Sequence, residues 1–165
     1  MKYVNILKAV AISTLFIAAC QPQYELDTNF TVPTELSCPS EVVLDVTSSS
    51  FITFSWSGGE AEDGGILLYN VLIDKEDGDF SNPLAVLKSD LGAESTLTLT
   101  HSDLNQIARK AGIAPEQSGT LKWTVTASKG GVVKQVDKTA LIKVTRGEGI
   151  DNMPADLYLY GTAAE

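Results

Sequence analysis

From Glu41 onward, apolar and polar residues alternate along much of the chain, the two-residue period of strands with one buried face. Val42, Leu44 and Val46 alternate with Val43, Asp45 and Thr47. After three serines, Ile52, Phe54 and Trp56 alternate with Phe51, Thr53 and Ser55. Ile66 to Ile73 is more continuously apolar, which predicts a central strand covered on both faces. Leu84–Leu87 and Thr96–Thr100 predict shorter strands. Leu121, Trp123, Val125 and Ala127 then alternate with Lys122, Thr124 and Thr126, and Ala140, Ile142 and Val144 with Leu141, Lys143 and Thr145. Asp77-Gly78 marks a turn and Gly130-Gly131 a hairpin, while Gly58-Gly59 and Gly64-Gly65 bracket an acidic loop.

One segment has another period. Leu104, Ile107, Ala108 and Ala111 fall at helical spacing between His101 and Gly112. Ser102 is the expected N-cap and Gly112 the C-terminal stop. About seven strands within residues 41–147, with one short crossover helix, predict an all-β fold: a two-sheet sandwich of immunoglobulin or fibronectin type III character. The antibody-type disulfide is absent, which favours the fibronectin-like variant.

The first forty residues fall outside this pattern. Lys2 and Lys8 precede an apolar run, Ala9 to Ala19, broken only by Ser13 and Thr14. Eleven helical residues reach about 16 Å, half the hydrocarbon thickness, so residues 1–19 read as a signal peptide rather than a spanning helix. The run ends Ile17-Ala18-Ala19-Cys20, small residues before a thiol. This resembles the bacterial lipobox, with cleavage between Ala19 and Cys20 and acylation of Cys20 by chains such as palmitate. The alternative is an ordinary secretory signal with a chance cysteine. Anchoring by more than one acyl chain is stable on a bilayer. Residues 20–40 carry Pro22, Pro33 and Pro39 and no sustained period, so they read as an extended tether reaching up to about 60 Å.

Charge narrows the partners. The chain carries a net charge of -9, and removal of Lys2 and Lys8 takes it to about -11. Such a surface repels phosphate backbones and anionic headgroups, so nucleic-acid binding is not expected and membrane attachment must be hydrophobic.

Candidate chemistry is sparse. No Gly-x-Ser-x-Gly elbow, phosphate-cradling loop or His-Glu-x-x-His occurs, so no enzyme and no cofactor is expected. The single histidine, His101, precedes the helix without ligand partners at metal spacing and reads as solvated or locally hydrogen-bonded. Glu60, Glu62 and Asp63, and Asp74, Glu76, Asp77 and Asp79, form two acidic clusters. The glycine and distal glutamate of a calcium loop are not at their spacing after Asp74, and both clusters read as solvated loop charge, with no metal site. Trp56, Trp123 and Tyr69 share strand faces with aliphatic residues and read as core rather than as sugar-stacking platforms. With Cys20 acylated, Cys38 has no partner in the chain and reads as an inert, buried thiol.

Phe54-Ser55-Trp56, Tyr69-Asn70-Val71-Leu72-Ile73-Asp74, Gly78-Asp79-Phe80, Leu99-Thr100 before Leu104-Asn105, and Leu121-Lys122-Trp123-Thr124-Val125 together resemble the N-terminal domain of SusE-type outer-membrane lipoproteins. The resemblance covers residues 20–165. It implies a Bacteroidetes-like outer membrane, a starch-type polysaccharide-utilisation system, lipid anchoring at the cell surface and a porin-type glycan importer as partner complex. In that family the N-terminal sandwich looks like a spacer, and glycan binding belongs to later domains. After a linker-like break at Arg146-Gly147-Glu148-Gly149, residues 154–161 are similar to the opening strand of the next, carbohydrate-binding domain. Residues 148–165 are therefore read as a linker and first strand of a truncated domain, with Tyr158 and Tyr160 as weak glycan-binding candidates. A terminal strand docking on the one sandwich is the other reading of this segment. A protein-interaction module docking on an outer-membrane transport complex, without glycan binding of its own, is the alternative function.

Overall fold

The computed structural model describes residues 27–147. In chain order these residues form β1 (Glu35–Ser37), β2 (Glu41–Val43), β3 (Phe51–Ser57), β4 (Leu68–Lys75), β5 (Ala85–Lys88), β6 (Thr96–Thr100), helix α1 (His101–Lys110), β7 (Ser118–Lys129), β8 (Val132–Gln135) and β9 (Ala140–Thr145). Strands β1, β3 and β6 make an antiparallel three-stranded sheet in the order β1-β3-β6. The second sheet runs β2-β9-β7-β4-β5, with β8 also paired to β7. Its pairs are antiparallel except β2 with β9. Helix α1 carries the chain from one sheet to the other.

The alternation decides what fills the space between the sheets. Ile52, Phe54 and Trp56 of β3 face Val71 and Ile73 of β4 and Leu121, Trp123 and Val125 of β7, all buried. Phe54 meets Trp123 edge to face with centroids 5.1 Å apart, and Trp56 meets Tyr69 likewise at 5.5 Å. Strand β4 is covered on its outer face as well, where Leu72 and Asp74 are buried, in keeping with its continuous apolar run. It starts at Leu68, so Ile66 lies outside it and is 74% exposed.

Strand β7 is the longest element, and β8 and β9 share its side opposite β4. Thr126 pairs with Gln135 in β8, and Trp123 with Ala140 in β9. Between these strands the fully buried Thr124 donates its hydroxyl to Lys138 O at 2.9 Å and lies 3.2 Å from Val136 O. A threonine on the polar phase of the strand thus serves carbonyls that the break in pairing would strand. Gly130 and Gly131, both at positive φ, close the expected hairpin.

The expected helix is present, but its cap lies two residues earlier than Ser102. Thr100 is the N-cap, and it exchanges hydrogen bonds with Asp103 in a capping box. Strand β6 therefore runs into α1 with no intervening loop. Gly112, at φ +90°, ends the helix as expected: its N–H bonds Arg109 O while Ile113 N–H bonds Ala108 O.

Two boundaries differ from the sequence reading. The tether does not extend to Ser40. Phe30 is 4% exposed and bridges to Ala61, Val32 packs on the core, and Glu35–Ser37 pairs with Ser57–Ser55. The chain then passes from one sheet to the other around Cys38-Pro39. The strand predicted through Val46 stops at Val43, because Asp45 turns the chain: its carboxylate accepts Thr47 N–H at 2.9 Å and its carbonyl accepts Ser48 N–H at 3.0 Å.

Candidate functional site

Cys20, its cleavage partner Ala19, and Tyr158 and Tyr160 lie outside the described residues. Within them, the aromatic candidates are core: Trp123 is fully buried, and Trp56 and Tyr69 nearly so. His101 is locally hydrogen-bonded. Its Nδ1 accepts Asp45 N–H at 3.1 Å, which places the neutral ring's proton on Nε2, 2.9 Å from Ser50 Oγ. It clamps the loop between β2 and β3.

The acidic clusters separate into different roles. Asp74 is buried rather than solvated, and its carboxylate accepts Lys75 N–H at 2.8 Å and Phe80 N–H at 3.0 Å, folding the β4–β5 loop. Asp79 accepts from Ser81, and Asp63 pairs with Lys129 and accepts Gly65 N–H. These hydrogen bonds hold the Asp63 and Asp79 carboxyls below the usual carboxylate range. Among the described residues no three His, Cys, Asp or Glu side chains are grouped to hold a metal ion.

Cys38 is half-buried where the chain changes sheets. Its sulfur accepts the indole N–H of Trp123 at 3.3 Å. Burial pushes the thiol's pKa up, against the opposing Trp123 hydrogen bond, which disfavours a reactive thiolate.

The described chain begins and ends at opposite poles of the sandwich. At the N-terminal pole, residues 29–31 run beside the Gly58–Gly65 loop: Glu62 N–H bonds Asn29 O and Thr31 N–H bonds Glu60 O. Lys134 fastens Phe30 there, donating to its carbonyl at 2.7 Å with the ammonium 4.4 Å from the ring centroid. At the C-terminal pole the buried Arg146 reaches across to the helix, bonding Asn105 Oδ1 at 3.1 Å and Ile113 O at 2.7 Å. Strand β7 joins the poles, and its twelve residues span about 40 Å at about 3.3 Å each. Sequence reasoning missed both fasteners. The Thr100–Asp103 spacing of the cap was available in the sequence, but nothing local marks Phe30 or Arg146.

The N-terminal pole also holds two cavities on either side of Tyr69. One, of about 410 Å³, lies between the Gly59–Leu67 loop, Ala93 and Ser95. The other, of about 520 Å³, is walled by Leu68, Asn70, Lys88, Ser89, Leu91 and Ser128.

Together these features define, among the described residues, a two-sheet β-sandwich with one short helix, whose first and last described residues lie at opposite poles. A family model described as SusE outer membrane protein matches residues 21–126. The chain belongs to that family and is a protein of the outer membrane. No curated protein matches it. Among solved structures it is similar to a protein described as Fn3-like from Clostridium thermocellum, at 21% identity and a TM-score of 0.39, over 74% of this chain and 99% of that one. Among the described residues no helix is long and apolar enough to cross a membrane.

Proposed function

We propose that this sandwich is the stand-off domain of a lipid-anchored SusE-type protein in a polysaccharide-utilisation system. Cys20 carries the lipid at the cell surface, a short tether follows, and glycan of the starch type is bound beyond the sandwich rather than by it. The observation that carries this reading is the in-line path of the chain. It is fastened at one pole by Phe30 and Lys134 and leaves the other beside Arg146, so the domain adds about 40 Å of stiff reach. A fibronectin-like sandwich suits that role, because its core takes up Trp56, Tyr69 and Trp123, flat faces on which a sugar would otherwise stack. The reading includes no catalysis and no cofactor, since His101 is occupied in positioning a loop. The porin-type importer remains the proposed partner complex.

Affinity electrophoresis of residues 27–147 through gels containing starch or other polysaccharides tests the spacer reading. Unretarded migration is expected, and strong retention on any glycan would overturn it. For the anchor, Cys20→Ala in the whole chain should move the protein from the membrane fraction to the soluble one. A variant that stays in the membrane would remove the lipid from the proposal.

A further inference from the structure

The topology sets how the sandwich answers a pull on its two ends. Strand β2 lies near the start of the described chain and β9 near its finish, yet the two are neighbours in one sheet. They run parallel, with Glu41–Val43 beside Lys143–Thr145. Lys143 N–H bonds Ser40 O at 3.0 Å and Leu44 N–H bonds Thr145 O at 2.8 Å, so Val42 between them turns its own N–H and C=O toward β9. The described chain begins at one pole and ends at the other. Tension on its ends therefore draws β2 and β9 in opposite directions along their shared axis. The ladder bonds lie across that pull and share it, rather than opening one after another as in a strand peeled sideways. Strand β1 is loaded in the same way: it is drawn along its own axis, and its pairs with β3, Glu35 with Ser57 through Ser37 with Ser55, resist the sliding.

Each end of this path is also held by a side chain. On the entry side Phe30 is buried and Lys134 holds its carbonyl, so sliding of β1 toward the N-terminal pole has to draw that ring out of the core. On the exit side the buried Arg146 is fixed by its backbone as well, its N–H bonding Gln117 O at 3.0 Å and its carbonyl accepting Glu116 N–H at 3.1 Å. Gly147 then passes so close to the end of β2 that a Cβ there would lie 2.2 Å from Leu44 O. The two loaded strands are thus in contact beyond their ladder. We propose that β2 and β9, with Phe30 and Arg146 at the two ends, form a mechanical clamp, and that bearing tension along its axis is a function of this domain. The strands β4 to β8 and helix α1 are shielded until the clamp gives. The source of such tension rests on the stand-off reading, in which a lipid holds one end and a large glycan the other; the clamp itself does not.

Single-molecule stretching of the full chain, held by handles at its two termini, tests the clamp. Forced unfolding reads the rate at which the loaded contacts break rather than the equilibrium stability. Residues 27–147 should lengthen in one event of about 400 Å. A separate, weaker first event that frees residues 27–50 and leaves β3 to β9 folded would overturn the proposal. Moving the C-terminal handle to Val133, on the hairpin at the N-terminal pole, no longer pulls β2 against β9 and should lower the unfolding force about twofold. An equal force in both geometries would also overturn it. Val42→Pro removes a donor from the parallel ladder and should lower the end-to-end force by about the same factor. Ile107→Val, in the helix and away from the clamp, should lower the melting temperature and leave the force unchanged. A force that falls as far with Ile107→Val as with Val42→Pro would reduce the clamp to ordinary stability. The two pulling geometries decide the point even where Val42→Pro does not fold. Retention on a glycan gel, which tests the stand-off reading, has no bearing on any of these forces.

Discussion

The two poles of the sandwich are built to different standards. At the C-terminal pole, polar groups find partners: the buried Arg146 serves Ile113 and the buried Asn105, the partly exposed His101 serves Asp45 and Ser50, and Thr100 and Asp103 cap the helix reciprocally at the surface. At the N-terminal pole, Trp56 Nε1 and Ser89 Oγ are buried without partners, and two cavities flank Tyr69. The two tryptophans repeat the contrast within one core. Trp123 gives its N–H to Cys38, and Trp56 gives its N–H to nothing among the described residues. The difference teaches that the poles are unequal in how fully their buried donors are matched rather than in open space, since a cavity also lies at the C-terminal pole beside Leu44 and Gly147. Phe30 is what closes the looser pole, so its removal should have the largest effect.

Phe30→Ala empties a ring that is 4% exposed and unseats the chain from Lys134. Urea unfolding should show a loss of about 3–5 kcal/mol. Hydrogen exchange should quicken first in the Gly58–Gly65 loop. A loss confined to a few tenths would mean that residues 27–34 are tether after all. Arg146→Met is the matching test at the other pole. It leaves Asn105 Oδ1 and Ile113 O without their buried donor and should cost about 2–4 kcal/mol. An equal or larger loss from Lys134→Met, whose side chain lies at the other pole, would erase the contrast.

The tryptophan pair sharpens the comparison with smaller changes. Trp→Phe shrinks the ring at both sites, but only at Trp123 does it also break a hydrogen bond, the one to Cys38. At Trp56 it removes an unmatched N–H, whose burial carries a penalty of about 1–3 kcal/mol. Trp123→Phe should therefore be the more destabilising by about 1–3 kcal/mol. Equal losses would show that Trp56 Nε1 has a partner in solution.

Much of the fold was legible because alternation reports burial directly. Residues 96–100 form the expected strand, and the inward phase of β3 and β7 named Ile52, Phe54, Trp56, Leu121, Trp123 and Val125 as core. Residues 27–40 were not legible, because their structure comes from distant partners. Phe30 bridges Ala61, Glu35 pairs with Ser57, and no local period announces either pairing. The parallel β2–β9 pair is equally silent in three residues. For the cap, Ser102 was the nearer candidate to the apolar run. Thr100 took the role because Asp103 lies three residues after it and returns the hydrogen bond. Asp74 was read as solvated from its company of acidic residues, although its carboxylate is buried against Phe80 N–H. The cavity beside Leu91 was invisible for a similar reason. Ser89-Asp90-Leu91-Gly92 reads as an ordinary turn, and neither a buried hydroxyl nor a positive φ is written in the sequence.

The smallest predicted effect concerns the turn that walls this cavity. Asp90 lies beside β6, the last strand of its sheet, and accepts Thr98 N–H at 3.0 Å, Thr98 Oγ1 at 2.8 Å and Thr96 Oγ1 at 3.0 Å. The carboxylate takes the place of a neighbouring strand at Thr98 and blunts the edge against pairing with another chain. Burial pushes its pKa up, but the Thr98 and Thr96 hydrogen bonds outweigh that and hold it below the usual carboxylate value. A depressed native pKa means that the folded state favours the ionised form. Its contribution is complete above the unfolded-chain value of about 4 and disappears as pH falls through the lower native value. Asp90→Asn should lower the urea midpoint slightly at neutral pH, by less than any change above. The gap between variant and parent should stay constant down to about pH 4 and close below it. A gap that instead widens on acidification would show that the edge is held by something other than the Asp90 charge.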